Sequence, residues 1–377
     1  MIKKLMFFSI PLDFIKPGER LEFDLYVNSS TLEGRERYYR ILKHGQELTA
    51  EFFDIHIKKH SHLYVPEQQR KKYLNSVTSS LRDTSTKVEV LKSIAIDHMI
   101  HVFEGGDRSE TILSHIERSK EVVDSIVDLI QHQSMKDLYA TLSELGFHDC
   151  YTYDHSINVC MYSIIFYKFL KPQASKFELT TAGLSGLLHD LGKLRVSNKI
   201  LNNVGVLNEW DFAVIKKHPE YGAELLTNCD CESISSEMLN EIQKVIMEHH
   251  ENINGTGYPK KLKGEEISFL SKMVAIIDFF DAVTTKRSYH EPLNVKDALS
   301  LMHKSVGKKI DKVIFNEFRR SIFVLSDGKQ DISVGDDFDP CRPYAELPIV
   351  KIPVQKTSIS LRTGEAIKEV DPRKKAS

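Results

Sequence analysis

Cysteine is scarce in this chain, tryptophan occurs once, and long apolar runs are missing. The five cysteines (Cys150, Cys160, Cys229, Cys231 and Cys341) are odd in number and form no Cys-x-x-Cys pair. That suits a reducing compartment, with the five read as packing or surface thiols. No apolar run approaches the ~18 residues that would span a bilayer, so no transmembrane helix or membrane insertion is expected. Residues 1–10 are apolar enough to resemble the front of a secretory leader, but Pro11 and Asp13 interrupt the run and no small-residue cleavage site follows. A cytoplasmic protein is the expectation. Charge of one sign is also lacking: the formal net charge is -2, which leaves no global field to draw a nucleic acid polymer or an anionic membrane. What remains is a chain of 377 residues, 41% hydrophobic and 28% charged, an ordinary globular composition. Its sixteen histidines matter through their clustering.

Periodicity divides the chain into four stretches. Residues 1–70 mix strand and helix. Leu21, Phe23, Leu25 and Val27 alternate with polar residues as a half-buried strand does, Tyr38 to Leu42 suggest a second strand, Thr49 can cap a short helix, and Leu63-Tyr64-Val65 is a brief strand. Residues 71–147 read as helical linkers, with an apolar stripe at Ile112, Ile116, Val123, Ile126 and Ile130. Such a stripe lines a helical bundle or a homodimer seam, the bundle being commoner. Residues 148–325 are again helical, and residues 326–377 form a polar tail with short strands near Val350 to Leu361. The fold class expected is mainly α, with a small α+β module and linker helices ahead of an all-helical domain.

The polar residues that stand out all fall in the third stretch. His189 and Asp190 follow Ala182, Gly183, Leu184, Leu187 and Leu188, the packed face of a helix. Alone, this pair reads as a core histidine beside a capping aspartate. Yet His155, His218, His249, His250 and Asp278 also sit on or beside apolar helical segments, where an unpaired ionisable group is expensive. Five imidazoles and two carboxylates suit iron, manganese or zinc, and exceed what one such ion takes from protein. Two ions sharing one carboxylate are the natural reading, and ions about 3.5–4 Å apart suit hydrolysis at phosphorus.

These residues resemble the metal-binding signature of the HD phosphohydrolase superfamily. Further motifs follow in the family's order: His189-Asp-Leu-Gly-Lys193, Lys217-His-Pro219, His249-His-Glu251, Gly255-Thr-Gly-Tyr-Pro259, Asp278-Phe-Phe-Asp-Ala282 and Lys286-Arg-Ser-Tyr289. They are similar to those of the HD-GYP subfamily, which hydrolyses cyclic di-GMP, and residues 1–70 resemble the accessory module often found ahead of its catalytic domain. The resemblance implies a phosphodiesterase that opens cyclic di-GMP to pGpG, and onward to GMP, with a hydroxide bridging two divalent ions, iron or manganese. One ion would be held by His155, His189, Asp190 and Asp278, the other by His218, His249 and His250, with Asp190 bridging and catalytic. Lys193 and Arg287 would contact substrate phosphates, and Gly255, Gly257, Tyr258 and Pro259 would shape the loop bounding the guanine cleft. Protein signalling partners would act through the N-terminal module.

The chain departs from the family at Asn254, where aspartate is usual, at His290, where arginine or lysine is usual, and at Lys272, where arginine is common. Tyr151 stands where members with a third metal carry glutamate, so two metals are expected. Two other readings stay open: a metal-bearing cyclic di-GMP receptor that signals without useful turnover, and an HD hydrolase of another cyclic dinucleotide.

Overall fold

A computed structural model describes residues 7–10, 15, 17–29, 37–57, 60, 63–80, 87, 91–92, 94–95, 109–131, 133–134, 138, 152–201, 208–227, 233–285, 292–322, 358–359 and 366–367. Arg287, His290, Tyr151, Gly105-Gly106 and the strands expected at Val350 to Val354 lie outside them, as does most of the 326–377 tail, where Ser358–Ile359 pairs with Ala366–Ile367.

The N-terminal module is an antiparallel sheet of β1 (Phe7–Ile10), β2 (Leu25–Asn28), β3 (Tyr38–Leu42) and β4 (Leu63–Pro66), in the order β1-β4-β2-β3. Phe7–Ile10, at the end of the apolar stretch, is thus a strand, with Phe8 and Ile10 buried and Phe8 registered against Val65. Leu21 and Phe23 are buried as the alternation requires, but the paired strand begins only at Leu25. Thr49 does cap a helix, accepting from Phe52 N, although that helix lasts one turn and widens into a π turn over Phe53–Ile57. Helix α1 (Arg70–Ser80) covers the sheet through Tyr73, edge-on to Phe23 at 5.2 Å.

Helix α2 (Ser109–Ile130) carries the apolar stripe, and Ile116, Val123, Ile126 and Ile130 are buried within the protomer. Glu67 joins the two parts, pairing with buried Arg70 at 2.9 Å and with Arg118 of α2 at 3.6 Å. Most buried apolar residues form one connected core from Phe8 to Ile322, and Val196 and Ile215 form a small second cluster.

The helical domain consists of α3 (Thr152–Leu170), α4 (Lys176–Leu188), α5 (Asn198–Leu201), α6 (Glu209–Ile215), α7 (His218–Thr227), α8 (Ser236–Glu248), α9 (Phe269–Thr284), α10 (Val295–His303) and α11 (Lys312–Ile322). Helix α4 starts at a capping box, in which Ser175 and Glu178 each satisfy the other's backbone N–H, worth about 1 kcal/mol. Every residue from Leu179 to Leu188 is buried, which makes α4 the central helix. Helix α3 packs along it and is tied to the end of α2 by Lys168, whose ammonium donates to the carbonyls of Ile130, Gln131 and Gln133 at 2.7–3.0 Å. Among the described residues no helix is long and apolar enough to cross a membrane.

Candidate metal centre

His189 is the C-cap of α4 and Asp190 opens the 3-10 turn Leu191–Arg195, so the pair stands at a helix end rather than within the helix. Gly192 permits this turn to press against the start of α7, since a Cβ there would run into the carbonyl of His218 and the backbone of Gly222. His218 is the first residue of α7, ahead of Pro219, and His249 caps the end of α8. His155 lies in the first turn of α3, while Asp278 and Asp281 lie one turn apart on one face of α9. Seven residues scattered along the sequence therefore meet where helix ends converge on α4 and α9.

Three of the histidines are fixed alike. His189 Nδ1 donates to Gly186 O at 2.7 Å, His218 Nδ1 to Ile215 O at 2.8 Å, and His249 Nδ1 to Ile246 O at 2.9 Å. A carbonyl only accepts, so Nδ1 carries the proton and each Nε2 presents a lone pair inward. His155 is held differently: its Nδ1 faces Asp281 Oδ2 at 2.7 Å, and Asp281 Oδ1 accepts from Asn158 and Thr285 at 2.9 Å each. A carboxylate behind an imidazole is the arrangement that orients a metal-ligating histidine.

Inward-facing atoms fall into two groups. Around the first, His155 Nε2 lies 3.0 Å from Asp278 Oδ1, and His189 Nε2 lies 3.3 Å from Asp190 Oδ2 and 3.9 Å from Asp278 Oδ1. Around the second, Asp190 Oδ1 lies 3.2 Å from His218 Nε2 and 3.9 Å from His249 Nε2, and His250 completes the set. Asp190 belongs to both groups and turns one oxygen to each. Lys193 places its ammonium 2.5 Å from Asp190 Oδ2.

Electrostatics favour a cation. Burial, together with neighbouring His249 and Lys193, pushes the His218 imidazolium down to about 3 against the pull of Asp190. Burial and His189 push His249 down to about 4, and burial with its two histidine neighbours holds His250 well below the usual range. These rings are neutral at pH 7, so His218 Nε2 and His249 Nε2, 3.1 Å apart, confront each other lone pair to lone pair. His189 Nε2 is buried with no hydrogen-bond partner. Opposed lone pairs and an orphaned nitrogen beside carboxylates are what a bound divalent ion would satisfy, and no thiolate is among the donors. Although burial opposes ionisation, Lys193, His189 and His218 hold Asp190 well below the usual carboxylate range, and His155 does so for Asp278.

The loop after α8 forms one wall. Tyr258 stacks on His250 with ring centroids 4.8 Å apart, and its backbone N–H donates to His250 O at 3.2 Å. Gly257 leaves no room for a side chain, because a Cβ would meet the backbone of Glu251 and Asn252. Glu251 clamps the far side, accepting from Lys260 N and Leu262 N at 2.6 and 3.0 Å across the cis Tyr258-Pro259 bond. Asn254 accepts from Thr256 N at 3.0 Å and Thr256 Oγ1 at 2.7 Å; its amide oxygen makes bonds that a carboxylate would make. Lys272 is buried and pairs with Glu265 at 3.2 Å.

Asp281 lies in the Asp278-Phe-Phe-Asp-Ala282 motif but is not among the ligand candidates read from sequence, and Lys216 is not singled out there at all. Asp281's spacing of three from Asp278 on a buried helix was the available signal. Lys216, beside Tyr258, had no signal beyond its place two residues before His218.

A family model for the HD domain matches residues 167–314. The chain is 36% identical over 206 residues to a cyclic di-GMP phosphodiesterase of Pseudomonas aeruginosa, PA4108, covering 54% of this chain and 47% of the relative. It is 30% identical over 178 residues to 3'3'-cGAMP-specific phosphodiesterase 3 of Vibrio cholerae, covering 47% and 36%. The chain thus spans less than half the length of these relatives. Among solved structures, Bd1817, an HDG"Y"P protein from Bdellovibrio bacteriovorus, shares the fold with a TM-score of 0.52 at 19% identity, covering 84% of this chain and all of that one. Residues 167–314 thus match the HD domain model, and within them Tyr258 of Gly257-Tyr258-Pro259 stacks on His250 of the second histidine cluster.

Proposed function

We propose that the chain is a metal-dependent phosphodiesterase of cyclic di-GMP, adding water across one P–O3′ bond to give linear pGpG. The observation that carries the reading is Asp190, whose two oxygens face two separate histidine groups. His155, His189, Asp190 and Asp278 would hold one divalent ion and His218, His249, His250 and Asp190 the other, iron or manganese by the nitrogen- and oxygen-rich donor set. Two such ions supply Lewis acidity that makes water nucleophilic near neutral pH and offsets phosphoryl charge.

The protein's own side chains do the rest. Asp281 keeps the His155 ring turned inward, and the carbonyls of Gly186, Ile215 and Ile246 do the same for the other rings. Lys193, already beside Asp190, would take a phosphoryl oxygen, and Arg287 a second. Gly257, Tyr258 and Pro259 would bound the base. The relatives named for 3'3'-cGAMP favour a second substrate of the same shape, the mixed dinucleotide. The odd count of five cysteines with no Cys-x-x-Cys pair favours the cytoplasm as the setting, and the sheet module is the surface offered to a signalling partner.

The test is metal analysis of anaerobically purified protein, followed by a product assay on cyclic di-GMP and 3',3'-cGAMP in competition. About two ions per chain and pGpG formation are expected. Asp190→Ala is expected to lose both ions and all turnover while circular dichroism keeps its helical signal. Full turnover in the folded variant sinks the proposal.

A further inference from the structure

Lys216 closes α6, its backbone N–H reaching the carbonyls of Phe212 and Val214, and the same turn receives the His218 ring on Ile215 O. One tight turn therefore fixes both the root of the Lys216 side chain and one metal-facing imidazole. The half-buried Lys216 ammonium lies over Phe212 at 4.5 Å and over Tyr258 at 5.3 Å. Tyr258 in turn stacks on His250. The cation is thus held by two rings at the wall of the second histidine group. Lys193 shares its ammonium with Asp190, whereas the Lys216 side chain has no carboxylate or hydrogen-bond partner among the described residues. An ammonium placed by aromatic faces and given no counter-ion is prepared for an anion from outside.

We propose that Lys216 is a substrate-binding residue whose ammonium takes a non-bridging phosphoryl oxygen on the His218/His249/His250 side of the site. It complements Lys193 beside the first group. The assignment rests on the phosphodiesterase reading for its natural ligand, since a cyclic dinucleotide carries one negative charge on each phosphodiester. A lysine suits this task as a point charge on a flexible stem, requiring no planar match.

Manganese-loaded wild type, Lys216→Gln, Lys216→Arg and Lys217→Gln are titrated with inorganic phosphate by calorimetry and assayed on cyclic di-GMP. Lys216→Gln is expected to weaken phosphate binding about tenfold, as loss of a charged hydrogen bond does, and to raise KM by a similar factor with metal content unchanged. Lys216→Arg recovers most of the binding. Lys217→Gln, altering the exposed neighbour, stays within about twofold. Equal phosphate affinity in wild type and Lys216→Gln overturns the assignment, as does a wild type that binds no phosphate, or a loss that merely follows loss of metal. Phosphate binding decides Lys216 by itself; if it depends on Lys216 while cyclic dinucleotides survive intact, the phosphodiesterase reading fails and Lys216 stands.

Discussion

A carbonyl oxygen three residues back decides what His189, His218 and His249 can offer, because it takes the Nδ1 proton and leaves Nε2 bare. His155 relies on a carboxylate instead. Asp281→Asn keeps an acceptor for His155 Nδ1 but removes the charge behind it and turns an amide toward Asn158 and Thr285. Metal affinity at the first group is expected to fall about 10–100-fold, with circular dichroism unchanged; a metal titration showing wild-type affinity refutes the role. Sequence alone marks the seven inward residues, because ionisable side chains on apolar helices demand an explanation. Asp281 is harder to see. Its partner lies 126 residues away, and nothing local distinguishes a carboxylate that orients a ligand from one that is a ligand.

At the scale of elements, the site is a meeting of helix ends, and close backbone approach sets it. Gly192→Ala would force the 3-10 turn off the start of α7, where His218 sits. Overpacking of this kind costs about 1–3 kcal/mol. The expected outcome is a lowered melting temperature together with weakened metal binding at the second group, read by calorimetry and metal content. Wild-type values for both would show that the turn has slack. The helices that carry His155, His189, His249 and Asp278 are legible from their apolar runs, but helix ends are less so. The apolar pattern runs on through Leu191, so α4 gives no stop signal before His189. Strand β1 is similarly hidden, because an apolar chain start with no partner in view looks like a leader. Its meaning comes from β4, more than fifty residues later.

For the whole molecule, the titration of the buried imidazoles predicts how pH acts on protein stripped of metal. Despite burial, Asp278 and Asp281 raise His155 to about 9. A raised pKa stabilises fully below the unfolded value of about 6.5, and that contribution, on the order of 3 kcal/mol, is lost as pH rises through 9. His218 and His249, depressed to about 3 and about 4, act with opposite sign: their contribution is present above about 6.5 and lost as pH falls toward those values. Chelator-treated protein should therefore melt highest near pH 6.5 and lower on both sides, while manganese-loaded protein holds its midpoint from pH 6.5 to 9. A flat alkaline limb in the stripped protein would mean His155 is not protonated there. The donors also come from far apart in the chain, His155 on α3 and Asp278 on α9, with His218 and His249 between. An ion gripping them works on the unfolded chain as a cross-link does, closing loops whose entropy the free chain would otherwise regain.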